Sequence, residues 1–395
     1  MKRKVRSQNS SAKAEPRLTL VHGGTDYFEQ LHRMIAEAQT ELHVQTYIFD
    51  PDATGKAVVE ALVAAAKRNV RVTLLVDAYG SGSLPKSMIE TLQAAGVRIR
   101  LFGPWLSWQS LHLGRRLHHK VVVADGKFSL IGGINIADKY HGSATQRAWL
   151  DYAVKIESTE IGAQLNRLCD AHFEKRYEYR RKHISDGNAE KHVDILLNDW
   201  LLGKNEIQVS YWKAIRSAKS EMTIVGTYFL PGRRLSYSMR KAAQRGVEIK
   251  LILNGTSDVP IVRRATNYLY DRLLRNGLKL YEWPHSVLHG KAAVVDRKWT
   301  TIGSFNLNAL SAYGSIEMNV AVESKNFAAV AAEAFEQAIA ECIEITTTNL
   351  QPRQKWFQRL LNWTCYHLVV TGFSLLTFTA YKRFWSPKPR AGRLG

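Results

Sequence analysis

Cysteine is scarce. Cys169, Cys342 and Cys365 are the only three in 395 residues, scattered and odd in number. That excludes a disulfide framework and cysteine-based metal spacing, and it fits a reducing compartment. Each thiol reads as a small buried apolar group. No cluster of Cys, His and carboxylates has metal-ligand spacing, so no metal and no other cofactor is expected. Residues 1–17 hold no apolar run that could act as a secretory signal. Lys2, Arg3, Lys4 and Arg6, followed by Ser-Gln-Asn-Ser-Ser, read instead as a basic disordered arm. Acidic residues are also few: 35 Asp and Glu against 55 Lys and Arg, a net charge of +20. That balance attracts nucleic acid or anionic lipid, and composition alone does not choose.

One stretch occurs twice. His118-His119-Lys120, Asp125, Gly132-Gly133 and Asn135 are matched by His289-Gly290-Lys291, Asp296, Gly303-Ser304 and Asn306. Both fit H-x-K-x4-D-x6-G-[GS]-x-N at a constant offset of 171 residues (118 to 289). Five positions repeated in register mark an internal duplication. Residues 117–124 and 288–295 are β-branched and apolar enough for buried strands. Asp125-Gly126 is a hairpin dipeptide. On one strand, residues i and i+2 share a face, so His118 is expected to project with Lys120 and His289 with Lys291. His119 would face the other way and read as structural. Gly133 and Ser304 are small enough for a ligand to approach the backbone closely, with the Asn135 and Asn306 amides beyond them.

The rest of the chain alternates. Helices are expected at 26–39 (capped by Asp26), 55–68 and 86–95, with strands at 41–49, 70–77 and 97–102. The second half repeats that order, which is an α/β layer fold. Thr46/Thr227 and Gly96/Gly277 are offset by 181 residues, so the first half carries ten extra residues before its motif. Trp105, Leu106 and Trp108 sit there, with Arg115 and Arg116 behind. They suggest either a lip that dips into lipid headgroups beside His118 or two indoles that cap a local core. The domains expected are the arm 1–17, a half at 18–185, a half at 186–350 joined through the charged stretch 176–191, and a C-terminal segment at 351–395. Within that segment, residues 360–381 are 22 without formal charge, long enough to span a bilayer. Thr364, His367, Thr371, Ser374 and Thr377 form a polar stripe, however. That favours a helix lying in the membrane interface or packed on protein.

The paired motifs, together with Thr46-Tyr47-Ile48-Phe49, Thr227-Tyr228-Phe229-Leu230-Pro231 and Asp258-Val259-Pro260-Ile261-Val262-Arg263, resemble the phospholipase D superfamily. Within it they are most similar to bacterial cardiolipin synthases of the B subfamily, over residues 20–350. Gly133 stands where the superfamily more often has Ser. The resemblance implies two α/β halves packed with pseudo-twofold symmetry, the active site between them. It implies that Asp151 orients His118, that Glu317 orients His289, and that His118 is the nucleophile.

Two imidazoles and two ammoniums in one pocket can cleave a phosphodiester without metal. One imidazole attacks phosphorus and the other serves as acid and then base. Lys120 and Lys291 neutralise the phosphoryl oxygens, with Asn135 and Asn306 donating alongside. Asp125 and Asp296 complete the motifs from their hairpin turns, in a supporting role. The expected activity is phosphatidyl transfer through phosphohistidine to phosphatidylglycerol, making cardiolipin, with phosphatidylethanolamine as a further candidate substrate. The expected place is the cytoplasmic face of the bacterial inner membrane, bound peripherally to anionic phospholipid. A hydrolytic phospholipase D and a nuclease of the same superfamily are the alternatives. A decayed, non-enzymatic module disagrees with two intact motifs, and the aromatic, uncharged C-terminal stretch favours lipid over nucleic acid. Arg263 and Arg264 could meet a second lipid phosphate, and Tyr47 and Tyr228 end matched strands beside the pocket.

Overall fold

The computed structural model describes residues 15–103, 115–175, 193–200, 202–353 and 356–385. Most of the basic arm, the Trp105–Trp108 lip, the charged joint and the last ten residues lie outside them. The first half runs β1 (Arg17–His22), α1 (Thr25–Glu37), β2 (Glu41–Thr46), α2 (Ala53–Lys67), β3 (Arg71–Asp77), α3 (Lys86–Ala94), β4 (Arg98–Phe102), β5 (Arg116–Leu117), β6 (Lys120–Ala124), β7 (Phe128–Gly132), α4 (Asp138–His141), β8 (Tyr152–Glu157) and α5 (Thr159–Phe173). The second runs β9 (Val193–Asp199), β10 (Lys204–Asn205), α6 (Glu206–Ser217), β11 (Glu221–Gly226), α7 (Arg233–Gln244), β12 (Glu248–Thr256), α8 (Pro260–Arg275), β13 (Lys279–Val287), β14 (Lys291–Val295), β15 (Trp299–Gly303), α9 (Ala309–Tyr313), β16 (Ser315–Glu323) and α10 (Lys325–Ala340). β17 (Ile343–Ile345), α11 (Thr347–Arg353) and α12 (Trp356–Trp385) follow.

The duplication read from the motifs is a duplication of topology. The first sheet is ordered β1-β8-β7-β6-β2-β3-β4, and the second repeats it as β9-β16-β15-β14-β11-β12-β13, with β10 and β17 added at its edges. The strand period of two separates the faces of each sheet. Val121 and Val123 pack toward the other half, with Ala292, Val294 and helices α5 and α10. Val122 and Ala124 pack outward under α1 and α2, and Ala293 and Val295 under α6 and α8. Ser158 and Ser324 cap α5 and α10 alike, accepting from the Ile161 and Phe327 amides, each cap being worth about 1 kcal/mol.

Two boundaries differ from the reading of the sequence. α1 begins at Thr25 with Gly24 at its cap, and the Asp26 carboxylate accepts from the His22 amide instead. More consequentially, the runs 117–124 and 288–295 are not single strands. Leu117 pairs with Ile316 of the other half, and the His118 amide donates to the Ile316 carbonyl at 3.0 Å. The chain joins its own sheet only at Lys120. Leu288 likewise bridges Leu150, and the His289 and Gly290 amides both donate to the Leu150 carbonyl. Each motif histidine sits where the backbone crosses from one half to the other. A buried bidentate ion pair, Arg115 to Asp199 at 3.2 and 2.6 Å, fastens the first crossing to β9.

α12 belongs to the second half. Val369, Tyr366 and Phe373 join its core, and Asn362 and Cys365 are buried beside them. This spacing faces α8 and α9, so the polar stripe looks outward: His367, Thr371 and Ser374 are exposed. Thr364 and Ser374 donate back to the Leu360 and Val370 carbonyls, and His367 packs against Trp363 with ring centroids 4.6 Å apart. Phe357, Leu360, Leu361, Leu368 and Leu375 are exposed on the same helix. Among the described residues no helix is long and apolar enough to cross a membrane.

Candidate active site

The two crossings bring His118, Lys120, His289 and Lys291 into one cluster in which their charges act on one another. Lys120 and Lys291 are not aligned with their histidines along a strand. Each ammonium folds back to donate to the carbonyl oxygen of its own motif histidine, and Lys291 Nζ also lies 2.8 Å from His289 Nδ1. Tyr47 closes the first side, its ring 5.0 Å from the His118 ring and beneath Lys120 Nζ at 5.4 Å.

The carboxylates pair with the histidines in the opposite sense to the one the family resemblance implied. His118 Nδ1 lies 2.9 Å from Glu317 Oε2, and His289 Nδ1 lies 2.7 Å from Asp151 Oδ2. Each half's histidine is held by the other half's carboxylate. The cause is the crossing itself. The amide of His118 is bonded to the carbonyl of Ile316, directly before Glu317, and that of His289 to Leu150, directly before Asp151.

The remaining motif residues divide by role. Asn135 Nδ2 donates to the Tyr140 hydroxyl at 2.7 Å, and its Oδ1 accepts from the Ile48 amide. Asn306 Nδ2 donates to Ser311 Oγ. Both amides therefore bond within their own half, to the residue five positions on, rather than standing as open donors. Tyr140 in turn reaches His289 Nε2 at 3.3 Å. Ser304 Oγ donates to Glu317. A Cβ at Gly133 would fall 2.5 Å from both Asp151 oxygens, so a serine has no room there. Asp125 and Asp296 lie at the far ends of β6 and β14, away from the pocket. Asp125 accepts from the amides of Gln39, Thr40 and Glu41, and Asp296 from those of Lys219, Ser220 and Glu221. Both fix the entry to the neighbouring strand. His119 is buried against Gln45 and His172, as its alternation suggested.

Motif reading missed the residues that steady the crossings. Asp77 Oδ2 accepts from the Leu117 amide at 2.9 Å, and Asn254 Oδ1 from the Leu288 amide at 2.6 Å. Each follows the apolar run of the strand two places after the motif strand in its sheet order, Asp77 as the last residue of β3 and Asn254 two residues before the end of β12, and each holds the residue before a histidine. The one sequence signal was that both apolar runs are followed by a polar residue.

Burial governs the charges. It pushes Lys120 down to about 7 against the pull of Glu317, and Lys291 down to about 8 against Asp151. It pushes Asp151 up to about 7. Burial also lowers His118, which Glu317 opposes. His289 falls well below the usual imidazole range through burial and the Lys291 charge. Ammoniums in so dry a place favour an entering anion, whose charge restores their protonated form. The arrangement can bind a phosphoryl group and present one imidazole on each side of it.

A family model described as "Cardiolipin synthase, PLD-like domain" matches residues 31–176 and 211–339. A curated relative, cardiolipin synthase B of Escherichia coli, is 33% identical over 363 residues, covering 89% of this chain and 87% of its own. A cardiolipin synthase of Clostridium perfringens is 28% identical over 365 residues, covering 88% of this chain and 75% of that one. Among solved structures, a phosphatidylserine synthase from Haemophilus influenzae superposes with a TM-score of 0.72 at 13% identity. It covers 91% of this chain and 94% of that one, a likeness of fold.

Proposed function

The chain belongs to the cardiolipin synthase family with a phospholipase D-like domain, and we propose that it makes cardiolipin by double displacement at the crossed histidines. The observation that carries this reading is the crossing: each half's histidine is oriented by the other half's carboxylate, so one site needs both motifs. His118 is the nucleophile. Its Nδ1 is held by Glu317, and among the described residues its Nε2 has no hydrogen-bond partner. It is also the more open imidazole, 16% exposed against 7% for His289. The Nε2 lone pair attacks phosphorus of the donor lipid, a P–N bond forms, and the P–O bond to the headgroup alcohol breaks. The leaving oxygen takes a proton from the His289–Asp151 pair. Burial raises Asp151 and lowers His289, so the proton passed in catalysis belongs to the pair rather than to either group. In the second step that pair removes the proton from a hydroxyl of phosphatidylglycerol, whose oxygen displaces His118 from phosphorus. Lys120 and Lys291 offset the charge on the non-bridging oxygens throughout. Asp125 and Asp296 act by positioning the hairpins.

The lipid substrate also supports the placing of this chain peripherally on the cytoplasmic face of a bacterial inner membrane. The exposed apolar residues of α12 and the net positive charge would meet anionic lipid there. The test is incubation with vesicles of labelled phosphatidylglycerol, with and without phosphatidylethanolamine, followed by product separation and an acid-quenched search for phosphatidyl-histidine. Cardiolipin and an adduct on His118 are expected. Phosphatidate as the sole product would make the protein a hydrolase instead. Turnover of nucleic acid without turnover of lipid would make it a nuclease.

A further inference from the structure

A cavity of about 550 Å³ lies apart from the motif histidines. It is a cleft between α8 and α12, floored by the end of β12, with Arg263, Arg264, Asn267, Gln358 and Asn362 among its walls. Among the described residues the first half has no counterpart to α12, so nothing in the duplicated unit requires this cleft. The geometry points to a binding site for the second phospholipid, the acceptor, whose anionic phosphate rests on Arg263 and Arg264. This rests on the transfer reading above.

Three features carry it. Arg264 is exposed and, among the described residues, has no ion-pair or hydrogen-bond partner, which leaves its guanidinium fork open for a phosphate. Polar groups in the same walls are under-satisfied: Asn267 Oδ1 is buried with no partner, and it suits a donor such as a glycerol hydroxyl. Finally, the cleft is tied by hydrogen bonds to the backbone that holds His289. Arg263 and Ser257 also line a smaller cavity that reaches Asn254. Arg263 Nε donates to the Asn254 carbonyl at 3.3 Å, and Asn254 Oδ1 holds the amide of Leu288, next to His289. Asn254 Nδ2 is buried there without a partner. A headgroup with its phosphate on the arginines would extend its hydroxyl toward the residue that must deprotonate it.

The mouth of the cleft favours a lipid over a free headgroup. Ile261 on α8 and Phe357 and Leu361 on α12, each next in sequence to a lining residue, are more than two-fifths exposed. Acyl chains can lie along these side chains while the phosphate sits below. Transfer needs an acceptor that is held in place. Without one, the phosphohistidine is open to water, so the site sets the ratio of transfer to hydrolysis.

The experiment uses the full chain on vesicles containing a donor with a labelled phosphatidyl group, counting cardiolipin against phosphatidate. Arg264→Glu should lower that ratio about tenfold, the worth of one charge-assisted phosphate contact, and raise the phosphatidylglycerol needed for half-maximal transfer. Arg264→Lys should recover part of both. An unchanged ratio, whether turnover holds or falls, overturns the assignment. A second arm keeps the test independent of transfer. In His118→Ala, a phosphatidylglycerol carrying a photoreactive headgroup should crosslink to α8 or α12. Unlabelled phosphatidylglycerol vesicles should compete and soluble glycerophosphoglycerol should compete poorly. Crosslinks confined to other surfaces would count against the cleft even if the wild-type protein made no cardiolipin, and equal competition by the soluble compound would make it a site for the free headgroup.

Discussion

Tyr140 and Ser311 occupy the same position in the two halves, five residues after the motif asparagine, and the two histidines differ accordingly. Tyr140 is long enough to reach His289 Nε2. Ser311 ends its reach at Asn306. A second pair of positions differs in compensation. Asp151 is short and lies directly over Gly133, whereas Glu317 is one methylene longer and receives the Ser304 hydroxyl. The backbone frame is preserved by the duplication, down to the Leu150 and Ile316 carbonyls. The asymmetry is confined to side chains around the imidazoles. One frame thus holds two imidazoles in different surroundings, one with an open nitrogen and one hydrogen-bonded on both, and the proposed roles rest on that difference.

The sharpest way to break that comparison is to remove each imidazole. His118→Ala and His289→Ala should each lower turnover by more than about a thousandfold, and the double variant should be no worse, because the residues act as a unit. The two should differ in a quenched reaction with a nitrophenyl phosphodiester, whose leaving group needs no acid. His289→Ala should accumulate the histidine adduct and His118→Ala should not. Adduct in the second variant would reverse the roles.

Next in size is the pairing of small residue with carboxylate. Gly133→Ser alone pushes on Asp151 and should cost about a hundredfold in kcat, the scale of a 1 Å misplacement at a reacting group. Adding Asp151→Glu copies the second half into the first and should recover most of the loss. A double variant that is merely additive would show that the two positions are not matched.

Proton balance gives a third test. The proposed mechanism needs the ammonium forms of Lys120 and Lys291, and they are lost as pH rises through about 7 and about 8. kcat/KM, which reports the free enzyme, should therefore decline on the alkaline side across that range. kcat should hold to higher pH, because bound phosphate raises both ammonium values. Tyr140→Phe should move the limb belonging to the His289–Asp151 pair, with a few-fold change in rate. A profile identical to wild type would mean the hydroxyl only packs.

Much of this was legible in the sequence because it is local and repeated. The five motif positions recur in register, and His118, Lys120, His289 and Lys291 do meet. The crossed carboxylates were not legible. Glu317 lies 199 residues from His118 and Asp151 lies 138 from His289, and nothing in a linear spacing says which half a strand end faces. The same limit hid the break at His118: 117–124 reads as one strand, and composition does not report that Leu117 bonds to β16 while Lys120 bonds to β7. α12 was read from its polar stripe, but the buried face is set by Asn362, Cys365 and Val369, a mixed set that hydropathy does not single out. Asp77 and Asn254 differ in charge and share only a geometry, so no motif could pair them.

The smallest expected effect lies where the halves do not differ. Asp125 and Asp296 each close a hairpin at the far end of the motif, with positive φ at Asp125-Gly126 and at Asp296-Arg297, and each gathers three backbone amides of the opposite strand entry. Burial would raise both carboxyls, but the surrounding N–H donors outweigh it and hold them below the usual range. A carboxyl whose folded value is depressed lends stability that is complete above its unfolded value and is lost as pH falls through the folded one. Asp125→Ala and Asp296→Ala should therefore each cost about 1–2 kcal/mol at neutral pH, by similar amounts, and the difference from wild type should shrink in acid. Denaturant melts at pH 7 and pH 3, alongside lipid turnover, decide the matter. If the two act only on the hairpins, residual activity should follow the folded fraction in both. Turnover lost in a variant that melts like wild type would bring that aspartate into the chemistry after all, and loss in one of them alone would extend the asymmetry of the histidines to the far end of the strand.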